Sequence, residues 1–86
     1  MYLLSPTRKY VDDAKKFPDD TKAKLKEQHY LLEENPFHPG LETHKLKGAL
    51  SAYWAFYVTG GYRVIFRFLE DNEVIYYDIG THDIYK

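Results

Sequence analysis

The chain has 86 residues, a formal net charge of −1 and no cysteine. That length fits one domain spanning residues 1–86 and leaves no room for a second. The charge argues against a strongly basic nucleic-acid binder, and the lack of cysteine excludes a disulfide framework and a thiolate metal site.

Tyr2-Leu3-Leu4 reads as a short strand ended by Ser5-Pro6, with Pro6 at the first position of a helix and Ser5 as its cap. Tyr10, Val11, Ala14 and Phe17 then follow the i, i+1, i+4, i+7 spacing of an amphipathic helix, which Pro18 stops. Asp19 and Asp20 serve as caps and bring negative charge to the start of a second helix. This helix runs to Glu34, with Leu25, Gln28, His29 and Leu32 on its buried side, widened by Ala23, Tyr30 and Leu31. Lys22, Lys24 and Lys26 form its solvated face, and the two helices read as an αα-hairpin.

Asn35 to Gly40 holds two prolines and a glycine and reads as a loop, followed by an irregular stretch from Leu41 to Lys47. From Ala49 the apolar period changes to two. Leu50, Ala52, Trp54, Phe56 and Val58 point one way; Ser51, Tyr53, Ala55 and Tyr57 point the other. Thr59-Gly60-Gly61 is a hairpin turn, and the return strand sets Tyr62, Val64, Phe66 and Phe68 against Arg63, Ile65, Arg67 and Leu69. Glu70-Asp71-Asn72 turns again into a strand from Val74 to Ile79, ended by Gly80-Thr81-His82, with Asp83 to Lys86 as a short edge piece. The expected architecture is α+β, an N-terminal helical hairpin packed on one face of a twisted antiparallel sheet. The other face, with Tyr53, Tyr57, Arg63 and Arg67, is left open.

Nine Tyr, five Phe and one Trp supply much of the available burial, and their hydroxyls call for partners at an edge or in a groove. Charge is segregated. Residues 41–69 carry Lys45, Lys47, Arg63 and Arg67 against Glu42 alone, whereas residues 70–86 carry five acids against Lys86. Met1 to Leu4 is too short for a signal-peptide apolar region, and no apolar run reaches spanning length, so a soluble, cytoplasmic protein without a membrane partner is expected.

Four histidines are present, none at the spacing of a helical metal pair. His82 follows the glycine that ends the third long strand, where a side chain projects over the sheet edge and titrates near neutrality; the alternative is a hydrogen bond to the terminal turn. Lys45 and Lys47 flank Leu46, as a phosphate grip or as ordinary surface lysines. Arg63 and Arg67 lie four residues apart on one strand face, about 13 Å by strand rise. With Tyr53 and Tyr57 they make a phosphate-and-base platform, unless Arg67 is consumed by Asp78 or Glu73.

Asn35-Pro36, Leu46-Lys47-Gly48, Gly61-Tyr62-Arg63-Val64-Ile65-Phe66 and Ile79-Gly80-Thr81-His82-Asp83-Ile84-Tyr85 form an ordered series. This series resembles the RelE/ParE superfamily of type II toxin–antitoxin toxins. The resemblance implies a cognate antitoxin partner that wraps the toxin, and, for RelE-like members, cleavage of mRNA on the ribosome without a metal ion or other cofactor. It implies catalytic roles for His82 as general acid, Arg63 as transition-state cation and Tyr85 as the terminal aromatic. It further implies RNA-binding roles for Lys45, Lys47 and His44, beside which Tyr57 and Arg67 of the strand-face platform are expected to bind RNA.

The chain departs from RNA-cleaving relatives in one respect. Many carry Lys, Arg or His on the strand where this one has Tyr53, Ala55 and Tyr57. That departure keeps two alternatives open: a ParE-like toxin directed at DNA gyrase, and an inactive remnant that binds only its antitoxin.

Overall fold

The computed structural model describes residues 1–81. Strand β1 (Leu3–Pro6) leads into helices α1 (Arg8–Ala14) and α2 (Asp19–Glu34), followed by β2 (His44–Lys45), β3 (Trp54–Tyr57), β4 (Arg63–Phe68) and β5 (Glu73–Gly80). The sheet order is β1-β5-β4-β3-β2. The β3–β4 and β4–β5 pairs are antiparallel, as expected; β2 adds a further antiparallel pair, and β1 joins the edge of β5 in parallel, so the sheet is mixed rather than wholly antiparallel. The helices pack on one face of this mixed sheet, so the two-layer α+β architecture holds. Among the described residues no helix is long and apolar enough to cross a membrane.

The N-terminal details differ from the sequence expectation. Pro6 ends β1 rather than starting α1. The N–H groups of Leu3 and Thr7 donate to Asn72 and Tyr76 on the β5 side. By alternation the Pro6 nitrogen faces the outer edge, where a missing donor costs nothing. Thr7 is the cap: its hydroxyl oxygen accepts from the Tyr10 N–H at 3.3 Å and donates to the Tyr77 carbonyl at 2.8 Å. Helix α1 stops at Ala14, and Phe17 instead packs edge-on against Tyr62 with ring centroids 4.5 Å apart. Pro18 occupies the N-cap of α2, so Asp19 and Asp20 sit in its first turn, where their charge still favours the helix dipole. Ala23 and Tyr30 are exposed, and the buried stripe narrows to Thr21, Leu25, Gln28 and Leu32.

A second difference concerns residues 44–53. Gly48 adopts φ +67 and opens a single 3-10 turn over Gly48–Leu50, so extended structure begins only at Trp54. Leu50 and Ala52 are therefore not strand residues. His44–Lys45, expected to be irregular, pairs as a two-residue strand with β3.

Both long hairpins turn through two consecutive residues of positive φ. Gly60 (+57) and Gly61 (+85) do this between β3 and β4; Asp71 (+57) and Asn72 (+60) do it between β4 and β5. Such turns match the right-handed strand twist, and glycine, Asp and Asn are the residues that enter this region at low cost.

The main core lies between helices and sheet, with Leu25, Leu32, Leu41, Phe56, Val64, Phe66, Val74 and Tyr76 at its centre. A smaller cluster sits on the opposite face, where Leu46 covers Ala55 and Ile65 with Leu50 and Tyr53 alongside. The face expected to be wholly open is thus covered at its middle. Burying Leu46 is worth roughly 2 kcal/mol, enough to hold this otherwise irregular segment on the sheet.

Candidate nucleic-acid interface

The uncovered part of that face begins with one cross-strand row. Tyr57 on β3 pairs with Arg63 on β4, and Arg63 pairs with Gly80 at the end of β5. Gly80 closes the row without a side chain of its own and is buried. Both Tyr57 and Arg63 are half-buried. The Arg63 guanidinium folds back on its own turn, Nη1 donating to the Gly61 carbonyl at 2.9 Å. One donor of the fork fixes the group, and among the described residues the others meet no partner and can face an anion.

His44 pairs with Ala55, placing it on the same face as Tyr57 and Arg63, one row inward. Its Nδ1 lies 3.0 Å from the Glu42 carbonyl. An Nδ1–H donated there leaves Nε2 able to accept a proton. The two lysines are placed differently. Lys45 pairs with Trp54, whose neighbours belong to the helix-side core, and Lys47 lies beyond the strand; both are exposed. By register Lys45 therefore sits on the opposite side of the sheet edge from His44.

Arg67 is exposed on the outer face and pairs with Ile75. The acids that competed for it in the sequence are engaged elsewhere. Asp78 meets the Lys9 ammonium at 2.9 Å, and Glu73 accepts from the Ser5 hydroxyl at 3.1 Å. His82 and Tyr85, the remaining expected site residues, lie outside the described residues.

Two buried polar groups support this face from behind, and neither was anticipated from the sequence as a support. Gln28 on α2 donates its amide to the carbonyls of Gly40 and Tyr57, each at 2.9 Å, tying helix, loop and β3 together. Asp78 follows a bulge in β5: Ile65 pairs with Asp78 but Phe66 pairs with Tyr76, so Tyr77 is an extra residue. Burial pushes the Asp78 carboxyl up, and a proton shared with Asp13 raises it further. That shared bond, aided by Lys9, holds Asp13 below the usual carboxylate range. The cluster pins the end of β5 to α1.

A cation, a proton-accepting imidazole and tyrosine rings on one sheet face suit a phosphodiester and its bases. No protein-family model and no curated protein matches the sequence. Solved structures do. YafQ from E. coli strain BL21(DE3) is 21% identical with TM-score 0.76, covering 98% of this chain and 97% of that one. The toxin–antitoxin complex RelBE2 from Mycobacterium tuberculosis gives 19% identity and TM-score 0.78 over 94% of this chain and 98% of that one. A YoeB/ParE toxin from Agrobacterium tumefaciens gives 19% and 0.76 over 93% and 98%. The chain has, over nearly its whole length, the fold of the RelE, ParE and YafQ toxins of type II toxin–antitoxin systems.

Proposed function

We propose that this protein is the toxin of a type II toxin–antitoxin module and that it cleaves mRNA on the ribosome without a metal ion. The observation that carries the reading is the Tyr57–Arg63–Gly80 row, which sets a tethered guanidinium beside a tyrosine at the strand end. The RNA 2′-oxygen attacks the adjacent phosphorus and the bond from phosphorus to the 5′-oxygen breaks, giving a cyclic phosphate and a 5′-hydroxyl. His44 takes the 2′ proton on Nε2, Arg63 meets the charge that develops on the phosphoryl oxygens, and His82 protonates the departing 5′-oxygen. Tyr57 and Tyr85 position the nucleotide; Lys45 and Lys47, at the sheet edge, meet more distant phosphates. The cognate antitoxin is the second partner, a reading supported by the solved complexes of DinJ with YafQ and of RelBE2.

Expression of the chain without its antitoxin should arrest growth and produce mRNA cut within codons held in the ribosomal A site. Arg63→Ala and His82→Ala should each restore growth and intact transcripts. A second reading, poisoning of DNA gyrase, is favoured by the net charge of −1 and by Tyr57 on β3 with Tyr53 just before it. Growth arrest with intact mRNA and gyrase-dependent DNA damage would replace the first reading by the second. No growth effect, together with tight antitoxin binding, would leave only the inactive remnant.

A further inference from the structure

The outer face carries a second aromatic feature, away from the Tyr57–Arg63 row. The rings of Tyr53 and Tyr77 lie 5.3 Å apart at an interplanar angle of 43°, and Tyr77 is 41% exposed. Tyr77 is the extra residue of the β5 bulge, and its carbonyl is held by the Thr7 hydroxyl that caps α1. Alternation from the buried Val74 and Tyr76 turns Tyr77 to the outer face, and the bulge then sets Asp78, paired with Ile65, on that face as well. Extending the β3–β4 register by one residue sets Tyr53 opposite Arg67, exposed on the same face. Glu73 and Asp78 being engaged by Ser5 and Lys9, the Arg67 guanidinium meets no carboxylate within 4.0 Å among the described residues.

We propose that Tyr53, Tyr77 and Arg67 form a second nucleotide subsite for the RNA strand held at Arg63, a base stacking on the Tyr77 ring while Arg67 meets the adjoining phosphate. The inference rests on the RNA-cleaving reading above. Arg67 stands about 13 Å from Arg63 along the strand, so the two cations serve different nucleotides of one chain. A bare apolar patch would suit a protein partner equally well. A guanidinium beside two rings suits a nucleotide, which offers a flat π-face and a phosphate together. Stacking is tolerant of base identity, so this subsite adds grip at one position flanking the cut and little sequence choice.

The test is binding of a short unpaired RNA oligonucleotide to the purified full chain, read by fluorescence anisotropy and repeated with an abasic site at each position in turn. Tyr77→Leu and Arg67→Gln should each weaken binding about tenfold, and Tyr77→Phe should retain it. One abasic position should weaken binding to the unmodified protein and leave Tyr77→Leu indifferent. Should Tyr77→Leu fail to fold, the exposed Arg67→Gln and Tyr77→Phe carry the comparison. If Arg63→Gln weakens binding while Tyr77→Leu and Arg67→Gln do not, the subsite is overturned and the RNA reading stands. If the unmodified protein binds no RNA, both fall. If Tyr77→Leu impairs only antitoxin binding, the surface belongs to a protein partner and the subsite is again overturned.

Discussion

The Gln28 side chain, 1% exposed in the middle of α2, donates its amide to the main-chain carbonyl of Tyr57 at 2.9 Å. A second bond, to Gly40, makes it a three-way joint between helix, loop and the strand that supports the candidate site. Replacing Gln28 by Leu keeps the volume and strands both carbonyls. The expected cost is about 2–3 kcal/mol, measured as a fall in the urea midpoint. Because the Tyr57 carbonyl is one of the two, RNA binding should fall with stability even though Gln28 never meets the face itself.

The Tyr76 hydroxyl gives the opposite sign. It is buried between the layers with Tyr10, His29 and Phe56 around its ring, and it has no hydrogen-bond partner among the described residues. Burial pushes its ionisation well above the ordinary phenol range. A buried orphan hydroxyl is a desolvation cost with nothing returned. Tyr76→Phe removes the cost and keeps the ring, so unfolding should become harder by about 1 kcal/mol. An unchanged or lowered midpoint would show that the hydroxyl has a partner after all.

His29 makes stability depend on pH. Burial holds its imidazole below the usual value of 6.5, partly offset by Glu33 at 3.4 Å. The unfolded chain therefore binds the proton more readily than the folded one. Stability rises with pH through that window and is lost as pH falls below the unfolded value. His29→Gln should flatten the loss of stability between about pH 7 and pH 5, seen by comparing denaturation midpoints of the two proteins at both values.

Arg63→Lys preserves the charge and removes the fork. A lysine ammonium has no planar pair of donors to anchor one N–H on the Gly61 carbonyl and present the rest to phosphate. RNA cleavage should fall by about 10²-fold or more while oligonucleotide binding changes much less. Equal losses in both would mean that Arg63 only holds the strand.

Gly61 and Asn72 occupy corresponding places in the two hairpin turns, at φ +85 and +60. Gly61→Ala forces a Cβ into a region that L-residues avoid and should cost about 1–2 kcal/mol. Asn72→Gly should be neutral or slightly stabilising, since the position already lies where glycine is at ease. Thermal melts of the two variants give the comparison directly.

Those turns were legible in the sequence because Gly-Gly and Asp-Asn dictate their own geometry locally. So was the buried stripe of Leu25, Gln28 and Leu32, which repeats at helical spacing, and the alternation of Val64 and Phe66 against Arg63, Ile65 and Arg67. What escaped was non-local or accidental. Leu50 and Ala52 happen to continue the period of β3, yet the positive φ of Gly48 makes a 3-10 turn there. The bulge at Tyr77 inserts one residue without any breaker to announce it, so the sides taken by Asp78 and Ile79 could not be counted from Val74. Lys45 was expected to act with Lys47 on the RNA, but its side of the sheet depends on the register of a two-residue strand. The placement of Tyr57 and Arg63 on one face was readable, being fixed by a single short hairpin. His82 and Tyr85 lie outside the described residues, and their roles rest on the resemblance.

The parallel pairing of β1 with β5 joins the two ends of the chain, with Ser5 bonding Glu73 across 68 positions. β5 also carries α1 and lies between β1 and β4, so the first strand lacks its sheet neighbour and the first helix its main support until β5 exists. Synthesis runs from the N-terminus, and contacts this distant in sequence form late. Until residues 73–80 have been made, the nascent chain therefore has no assembled outer face. Whatever that face does to a cell, it starts only once β5 has closed the sheet, and a binding partner already present can meet the unpaired segments before then.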